Sequence, residues 1–472
     1  MTDLAFAPAA ELASMIRNRE ISPVEVMQAT LSRIEQSQPM LNAFITVAAE
    51  PAMEASKAAE AAVMRGAALG SLHGVPLAVK DLLPTAGMRT TWGSLIFKDH
   101  VPSADAEVVR RLKRAGAIVV GKTTTPEFGQ QCLTEAPLFG KTRNAWAADR
   151  SSGGSSGGSA VAIAAGLVPI AVATDGGGST RIPAACNGLV GFKQGLGLVP
   201  QEYAQDGFGN ISYTTPMTRT VLDTALMLDV MAGADDRDPL TVARSKPDFI
   251  AAATSEEPLT GLRIGWRARL GNTAVAREVL SACETALAAL SGIGAEITEL
   301  TAPYENPERV WFVVNGAYRL AQFGHHLREH REIMCPTFVR QMDRIANCSA
   351  VELYDAIFQR TGLYRQVQSW FETCDIVAMP TLSRSAVPID QDFFGSIEID
   401  GEPVENIRAA WYPYTMPFNL TGNPAVSLPA GFDSAGMPLA IQLIAPLGAD
   451  ASLLRIAAAF ERARPWAHRC AI

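Results

Sequence analysis

Between Ser151 and Lys193 the chain is rich in glycine and serine without being a linker. Ser-Ser-Gly-Gly-Ser-Ser-Gly-Gly-Ser-Ala fills positions 151–160, and Asp-Gly-Gly-Gly-Ser-Thr-Arg fills 175–181. Eight of the 38 glycines in the 472 residues fall between Gly153 and Ser179. A flexible linker would continue in Gly and Ser. Here the apolar runs Val161–Ala165 and Pro169–Ala173 intervene, and they read as a buried helix and a buried strand. Glycine beside serine in a packed interior lets backbone N–H groups approach a reacting atom. The segment therefore asks for a large core with a chemical loop embedded in it.

The rest of the chain is consistent with such a core. Apolar residues make up 48% and charged residues 19%, as in folded globular proteins. Ser22-Pro23-Val24-Glu25 is a helix start, with Ser as cap, Pro at the first helical position and Glu at the third. Leu72–Val79 reads as a loop entering a strand that ends at Lys80-Asp81. Asp105–Gly116 reads as a helix stopped by glycine, and Ala117–Val120 as a buried strand. Segments around 261–265, 274–290 and 295–300 repeat a strand–helix–strand rhythm, and 375–380 and 424–431 add later strands. The expectation is an α/β fold: one large mixed, mostly parallel β-sheet sandwiched by helices, in a single domain over 1–472. Within it, 1–65 is expected to be mainly helical and 235–260 a polar surface connection. Residues 300–370 are expected to form a helical insert walling the substrate pocket, because Trp311, Phe312, Tyr318 and Phe323 crowd there.

Several function classes are excluded by composition. A net charge of −8 with no basic run argues against nucleic acid, which needs a basic surface. No run of about 18 apolar residues occurs, so no membrane span is expected. The N-terminus lacks the basic-then-apolar pattern of a signal peptide. Seven cysteines, an odd count without a CxxC pair, point to reduced thiols and a cytoplasmic setting. Gly116-Ala-Ile-Val-Val-Gly-Lys122-Thr123 satisfies a phosphate-loop spacing, but its inner residues are those of a buried strand rather than a loop. His325, His326, Glu329 and His330 read as a solvated helix face. No metal and no cofactor are expected.

Three polar residues stand out by position: Lys80 at a strand end, Ser155 in the first Gly-Ser cluster, and Ser179 after three glycines. A serine hydroxyl needs a base within hydrogen-bonding reach. The six histidines show no serine-hydrolase motif, whereas a lysine kept neutral by burial can serve. Lys80 follows the apolar run Val75–Val79. Gly176, Gly177 and Gly178 could aim consecutive N–H groups at one oxygen, as a tetrahedral oxyanion requires.

Together these positions carry a resemblance. Gly74-Val-Pro-Leu-Ala-Val-Lys80-Asp81, Gly153-Gly-Ser-Ser-Gly-Gly-Ser159 and Asp175-Gly-Gly-Gly-Ser-Thr-Arg181 resemble the amidase signature family of serine hydrolases. Phe139–Asn144, Gly191-Phe-Lys193, Pro417–Pro424 and Pro438–Gln442 extend the match over nearly the whole chain. The resemblance implies a triad of Ser179 as nucleophile, Ser155 as bridging serine after a cis peptide, and Lys80 as base. It implies that the backbone N–H groups from Gly176 to Ser179 hold the oxyanion and that Gly129 and Cys132 lie on the substrate pocket. Ser156 would hydrogen-bond Lys80, and Asp175 and Arg181 would support the loop. Two departures are visible: Gly176 replaces a larger residue, which is expected to loosen the oxyanion loop slightly, and Gln194–Leu198 replaces a Pro-Thr sequence after Lys193.

The implied activity is hydrolysis of C–N bonds in small carboxamides, anilides or carbamates, with esters as related substrates. The alternative is the glutaminase (A) component of a tRNA-dependent amidotransferase, which would need a partner. An apolar pocket wall favours the stand-alone enzyme, since glutamine would require charged groups for its two ends. Whether the chain forms a homodimer is open at this stage.

Overall fold

The computed structural model describes residues 4–468 and Ala471; Met1–Asp3 and the seventh cysteine, Cys470, lie outside the described residues. Eleven strands form one sheet: β1 (Phe44–Val47), β2 (Pro76–Lys80), β3 (Ile118–Thr123), β4 (Ile170–Asp175), β5 (Val190–Lys193), β6 (Tyr213–Thr218), β7 (Arg263–Trp266), β8 (Glu296–Glu299), β9 (Ile376–Pro380), β10 (Ala425–Phe432) and β11 (Pro438–Ile444). Their spatial order is β1-β3-β2-β4-β6-β5-β10-β11-β9-β7-β8.

The mixed α/β sheet is the one expected, with a specific distribution of directions. Parallel pairing joins β3 to β2 to β4 on one side, and β9 to β7 to β8 on the other. The strands between pair antiparallel, as does β1 with β3. The centre is thus less parallel than the sequence rhythm suggests. The reason is visible at β10 and β11, where a short turn leads Phe432 back to pair with Pro438; so short a connection permits only antiparallel neighbours. Strands β2, β3, β4 and β9 are buried along their whole length, which explains their continuous apolar text.

Helices used below are α1 (Ala9–Arg17), α2 (Pro23–Leu41), α3 (Ala49–Met64), α4 (Gly157–Ala164), α5 (Arg181–Asn187), α6 (Phe249–Thr254), α7 (Glu308–His330), α8 (Pro336–Ile345) and α9 (Ala350–Trp370). The start of α2 carries the capping box read from the sequence: Val24 N–H donates to Ser22 Oγ at 2.9 Å, and Ser22 N–H to Glu25 at 2.9 Å. Helices α1 to α3 dominate the first 65 residues, but β1 interrupts them and extends the sheet. Segment 235–260 is also more than a surface connection, because α6 buries Phe249 completely.

Helix α4 runs through the interior with every residue buried. Its glycines are there for closeness: a Cβ on Gly158 would sit 2.3 Å from Thr124 Oγ1 and 2.5 Å from the Ala43 carbonyl. Helix α7 packs on both α8 and α9. Glu127 clamps α8, accepting from the Cys335 N–H and the Ser94 hydroxyl, both at 2.6 Å. Gly116–Thr123 is no phosphate loop. Lys122 is buried in β3 and donates to the Leu83 carbonyl and to Thr85 and Thr90 Oγ1 at 2.9 Å each.

Candidate active site

Adjacent parallel strands bring the first elements together. Val79 of β2 is in register with Val172 of β4, so Lys80 and Thr174 emerge side by side at the carboxyl ends, where open α/β sheets place ligands. Lys80 is fully buried. Its Nζ lies 2.8 Å from each of three hydroxyls, Ser155 Oγ, Ser156 Oγ and Thr174 Oγ1. Burial pushes its pKa well below the usual lysine value, Asp175 opposes that shift, and the Arg319 charge adds to it.

One hydroxyl direction at Lys80 is fixed by its other partner. Ser156 Oγ donates to the Thr174 carbonyl at 3.2 Å, so toward Lys80 it can only accept. A lysine that has lost its third proton would have two N–H donors for these three hydroxyl oxygens and a lone pair for the remaining hydroxyl. The Gly154–Ser155 peptide is cis, as the resemblance implies. Thr174 is a partner that the sequence reading missed; its position beside Lys80 follows from strand register, which only the fold reveals.

Ser179 occupies the loop between β4 and α5, tied to the same place by the Ser156 N–H, which donates to the Ser179 carbonyl at 3.2 Å. From residue 151 to 193 the chain is buried except at Gly176, Ser179 and Gly188. Gly176 and Ser179 open onto a cavity of about 320 Å³, which Ser155, Gly129, Cys132 and Gly177 also line. Gly129 has φ +70°, and a Cβ there would meet Leu82 Cδ1 at 2.8 Å and Ser155 Oγ at 3.3 Å.

Gly178 departs from the expected oxyanion set. Its N–H donates to Asp175 Oδ1 at 2.7 Å, and it is not among the cavity-lining residues. The carboxylate folds back under its own loop and takes that donor. Among the described residues, Gly176, Gly177 and Ser179 keep N–H groups without a protein acceptor. The loop's carbonyls are held from outside: Trp311 Nε1 donates to Gly176 O at 2.8 Å and Thr415 Oγ1 to Gly177 O at 2.7 Å. Both carbonyls are thus anchored, and a Cβ at Gly176 would meet nothing closer than Ser212 Oγ at 3.7 Å.

Asp175 and Arg181 form a fully buried pair. Arg181 donates Nε to Oδ2 and Nη2 to Oδ1, both at 3.0 Å, and this holds the carboxyl well below the usual carboxylate range against the opposing effect of burial. The remaining guanidinium donors reach Gln442 Oε1 and Asn419 Oδ1 at 2.7 Å each. Asn419 and Gln442 lie in the C-terminal segments that carried the resemblance, which could have marked them. Cys132 is buried in the cavity wall, and burial pushes its thiol up to about 12, so it is a thiol and not a thiolate.

The wall is aromatic, with Trp311, Tyr318 and Phe323 from α7, but it is not purely apolar. Arg319 and Arg408 line it as well, and no aspartate or glutamate does among the described residues. His326, Glu329 and His330, at the far end of α7, bring their ligand atoms within 4.8 Å of one another without lining the cavity.

The amidase family model matches residues 25–454. The acylamidase of Rhodococcus erythropolis is 36% identical over 477 residues, covering 99% of this chain and 97% of that protein. The A subunit of the glutamyl-tRNA(Gln) amidotransferase of Acidothermus cellulolyticus is 35% identical, covering 98% of this chain and 95% of its own. The crystal structure of a bacterial aryl acylamidase of the amidase signature family superposes with a TM-score of 0.91 at 31% identity, covering 98% of this chain and 97% of that one. The chain belongs to the amidase signature family.

Proposed function

We propose that this chain hydrolyses C–N bonds in small carboxamides, such as amides, anilides or carbamates, through an acyl-enzyme on Ser179. The observation that carries the reading is the buried Lys80 amine, hydrogen-bonded to Ser155, behind a cavity onto which Ser179 opens. Neutral Lys80 takes the Ser155 proton while Ser155 takes that of Ser179, and Ser179 Oγ bonds to the substrate carbonyl carbon. The N–H groups of Gly176, Gly177 and Ser179 are suited to receive the oxyanion. Ser155 returns its proton to the leaving nitrogen as the C–N bond breaks, and the Lys80 ammonium restores the Ser155 proton. Water then attacks the acyl-enzyme by the same relay, releasing the acid and free Ser179. Every proton moves between groups of this chain, the substrate and water.

The similarity to the amidotransferase components keeps a glutaminase reading in view. Glutamine would bring an ammonium group into a cavity lined by two arginines and no acid, which favours the stand-alone hydrolase. The six described cysteines are free thiols and support a cytoplasmic setting. No described helix is long and apolar enough to cross a membrane.

The test is to assay the purified chain on aryl amides and on glutamine, with Ser179→Ala as control. Aryl-amide turnover that is lost in Ser179→Ala, with the fold kept, is the expected result. Glutaminase activity without aryl-amide turnover would overturn the reading.

A further inference from the structure

Two guanidinium groups line the cavity without a counter-charge. Arg319 Nε is buried with no hydrogen-bond partner, and Nη1 has only the Gln322 side-chain oxygen at 3.3 Å. Its charge otherwise rests over the rings of Tyr318 and Phe323, with centroids at 5.5 and 6.0 Å. Arg408 donates to Gln341 Oε1 and lies between the rings of Trp311, Phe312 and Phe393; its Nε is likewise buried and unpartnered. Among the described residues neither arginine forms an ion pair.

A buried cation is ordinarily paired, because leaving water without compensation is costly. Arg181, fully buried beside this site, shows the usual solution, with Asp175, Asn419 and Gln442 filling its fork; Arg408 is buried as well, whereas the Arg319 side chain is half-buried with its Nε enclosed. Arg319 and Arg408 differ from it in having donors left over, and both line the space where substrate would lie.

Building on the hydrolase reading above, we propose that the preferred substrates are amides bearing a carboxylate and no ammonium group, with Arg319 as the main reader of that carboxylate. Arg319 is the better candidate of the two, since Arg408 is already held by Gln341 and by three rings. A planar fork receives a carboxylate through paired N–H donors. The absence of lining acids also rejects zwitterions, separating this substrate class from glutamine. Arg319 further lowers the basicity of Lys80 through its charge, so its loss would move the turnover of all substrates together. The discriminating quantity is therefore a ratio within one protein.

The experiment compares kcat/KM for two matched pairs: N-phenylsuccinamate against butyranilide, and 4-acetamidobenzoate against acetanilide. The first places the carboxylate on the acyl side, the second on the leaving group. In the wild-type chain the charged member of at least one pair should be preferred by about tenfold or more, the worth of one charge-assisted hydrogen bond. Arg319→Gln should erase most of that preference, while Arg319→Lys should retain part of it. Neutral members preferred in both pairs, or a preference untouched by Arg319→Gln in a folded protein, would overturn the proposal. If nothing is hydrolysed, calorimetry with Ser179→Ala separates the two ideas. Tighter binding of N-phenylsuccinamate than of butyranilide would leave the anion site standing and remove the hydrolase reading; equal binding would remove both.

Discussion

Asp175 accepts the N–H of Gly178, the residue immediately before Ser179, at 2.7 Å. One carboxylate thus decides which amides of a glycine run are turned inward and which remain available. It is itself fixed by Arg181 and by Asn419 Nδ2 at 3.0 Å.

Asp175→Asn keeps the shape and removes the charge, leaving Arg181 buried without its ion. Breaking a buried pair from one side costs about 3–5 kcal/mol. The variant should unfold at clearly lower denaturant concentration and lose turnover even where it remains folded. Equilibrium unfolding followed by circular dichroism checks this, and an unchanged midpoint would contradict it.

Ser155→Ala and Ser156→Ala should separate although the residues are neighbours. Ser155 is the relay between Lys80 and Ser179 in the proposed mechanism, so its loss should lower kcat by roughly 10²–10⁴, the span of general acid–base catalysis. Ser156 accepts from Lys80 and so favours the ammonium form. Its removal should lower the Lys80 pKa further and move the acidic limb of the kcat/KM profile to lower pH, with a smaller fall in rate. A limb shifted upward would refute that hydrogen-bond direction.

Lys80 should also leave a trace in stability. Its folded pKa is depressed by burial, whereas the unfolded side chain binds its proton up to about pH 10.4. Between those values the unfolded state holds the extra proton, so stability rises with pH, by at most about 1.4 kcal/mol per pH unit. Lys80→Met abolishes that dependence. The stability of the wild-type chain relative to Lys80→Met should therefore increase from pH 7 to pH 9.5 in urea unfolding, and a constant difference would show that Lys80 stays charged. In activity, Lys80→Ala should lose turnover and regain part of it at high pH, where hydroxide replaces the base.

Two glycines on the cavity should respond oppositely to alanine. At Gly129, φ +70° and the contact with Leu82 at 2.8 Å make a side chain strained, at a cost of roughly 1–3 kcal/mol, and it would press on Ser155. At Gly176 there is room, and the substitution should stabilise by about 0.4–1 kcal/mol by restricting the unfolded chain. Because alanine keeps the N–H, Gly176→Ala should retain activity. Thermal unfolding and an amide assay on both variants test the pair.

What the sequence disclosed and what it hid divide along a physical line. The placement of Lys80, Ser155 and Ser179 around one cavity was legible because their neighbours are short motifs whose apolar or glycine context states the local environment. The Ser22 cap was legible for the same reason. Gly178 was misjudged because the direction of an N–H depends on a side chain folding back, which no spacing encodes. Strand directions at the sheet centre were hidden because β5 is brief and pairs with β10, which lies far along the chain. Arg319 escaped notice since a charged residue in a helix reads as solvated, and only the packing of α7 over the cavity turns it inward.

The bond from Trp311 Nε1 to the Gly176 carbonyl ties the helix that shapes the cavity to the loop that carries Ser179. In the proposed mechanism, selectivity and rate are then mechanically joined: a change in α7 that repositions the indole to admit a larger acyl group also releases one anchor of the Gly176–Ser179 loop. Efforts to broaden this cavity would do better to begin at Tyr318 or Phe323, on the same helix, and leave the indole as a fixed hinge pin.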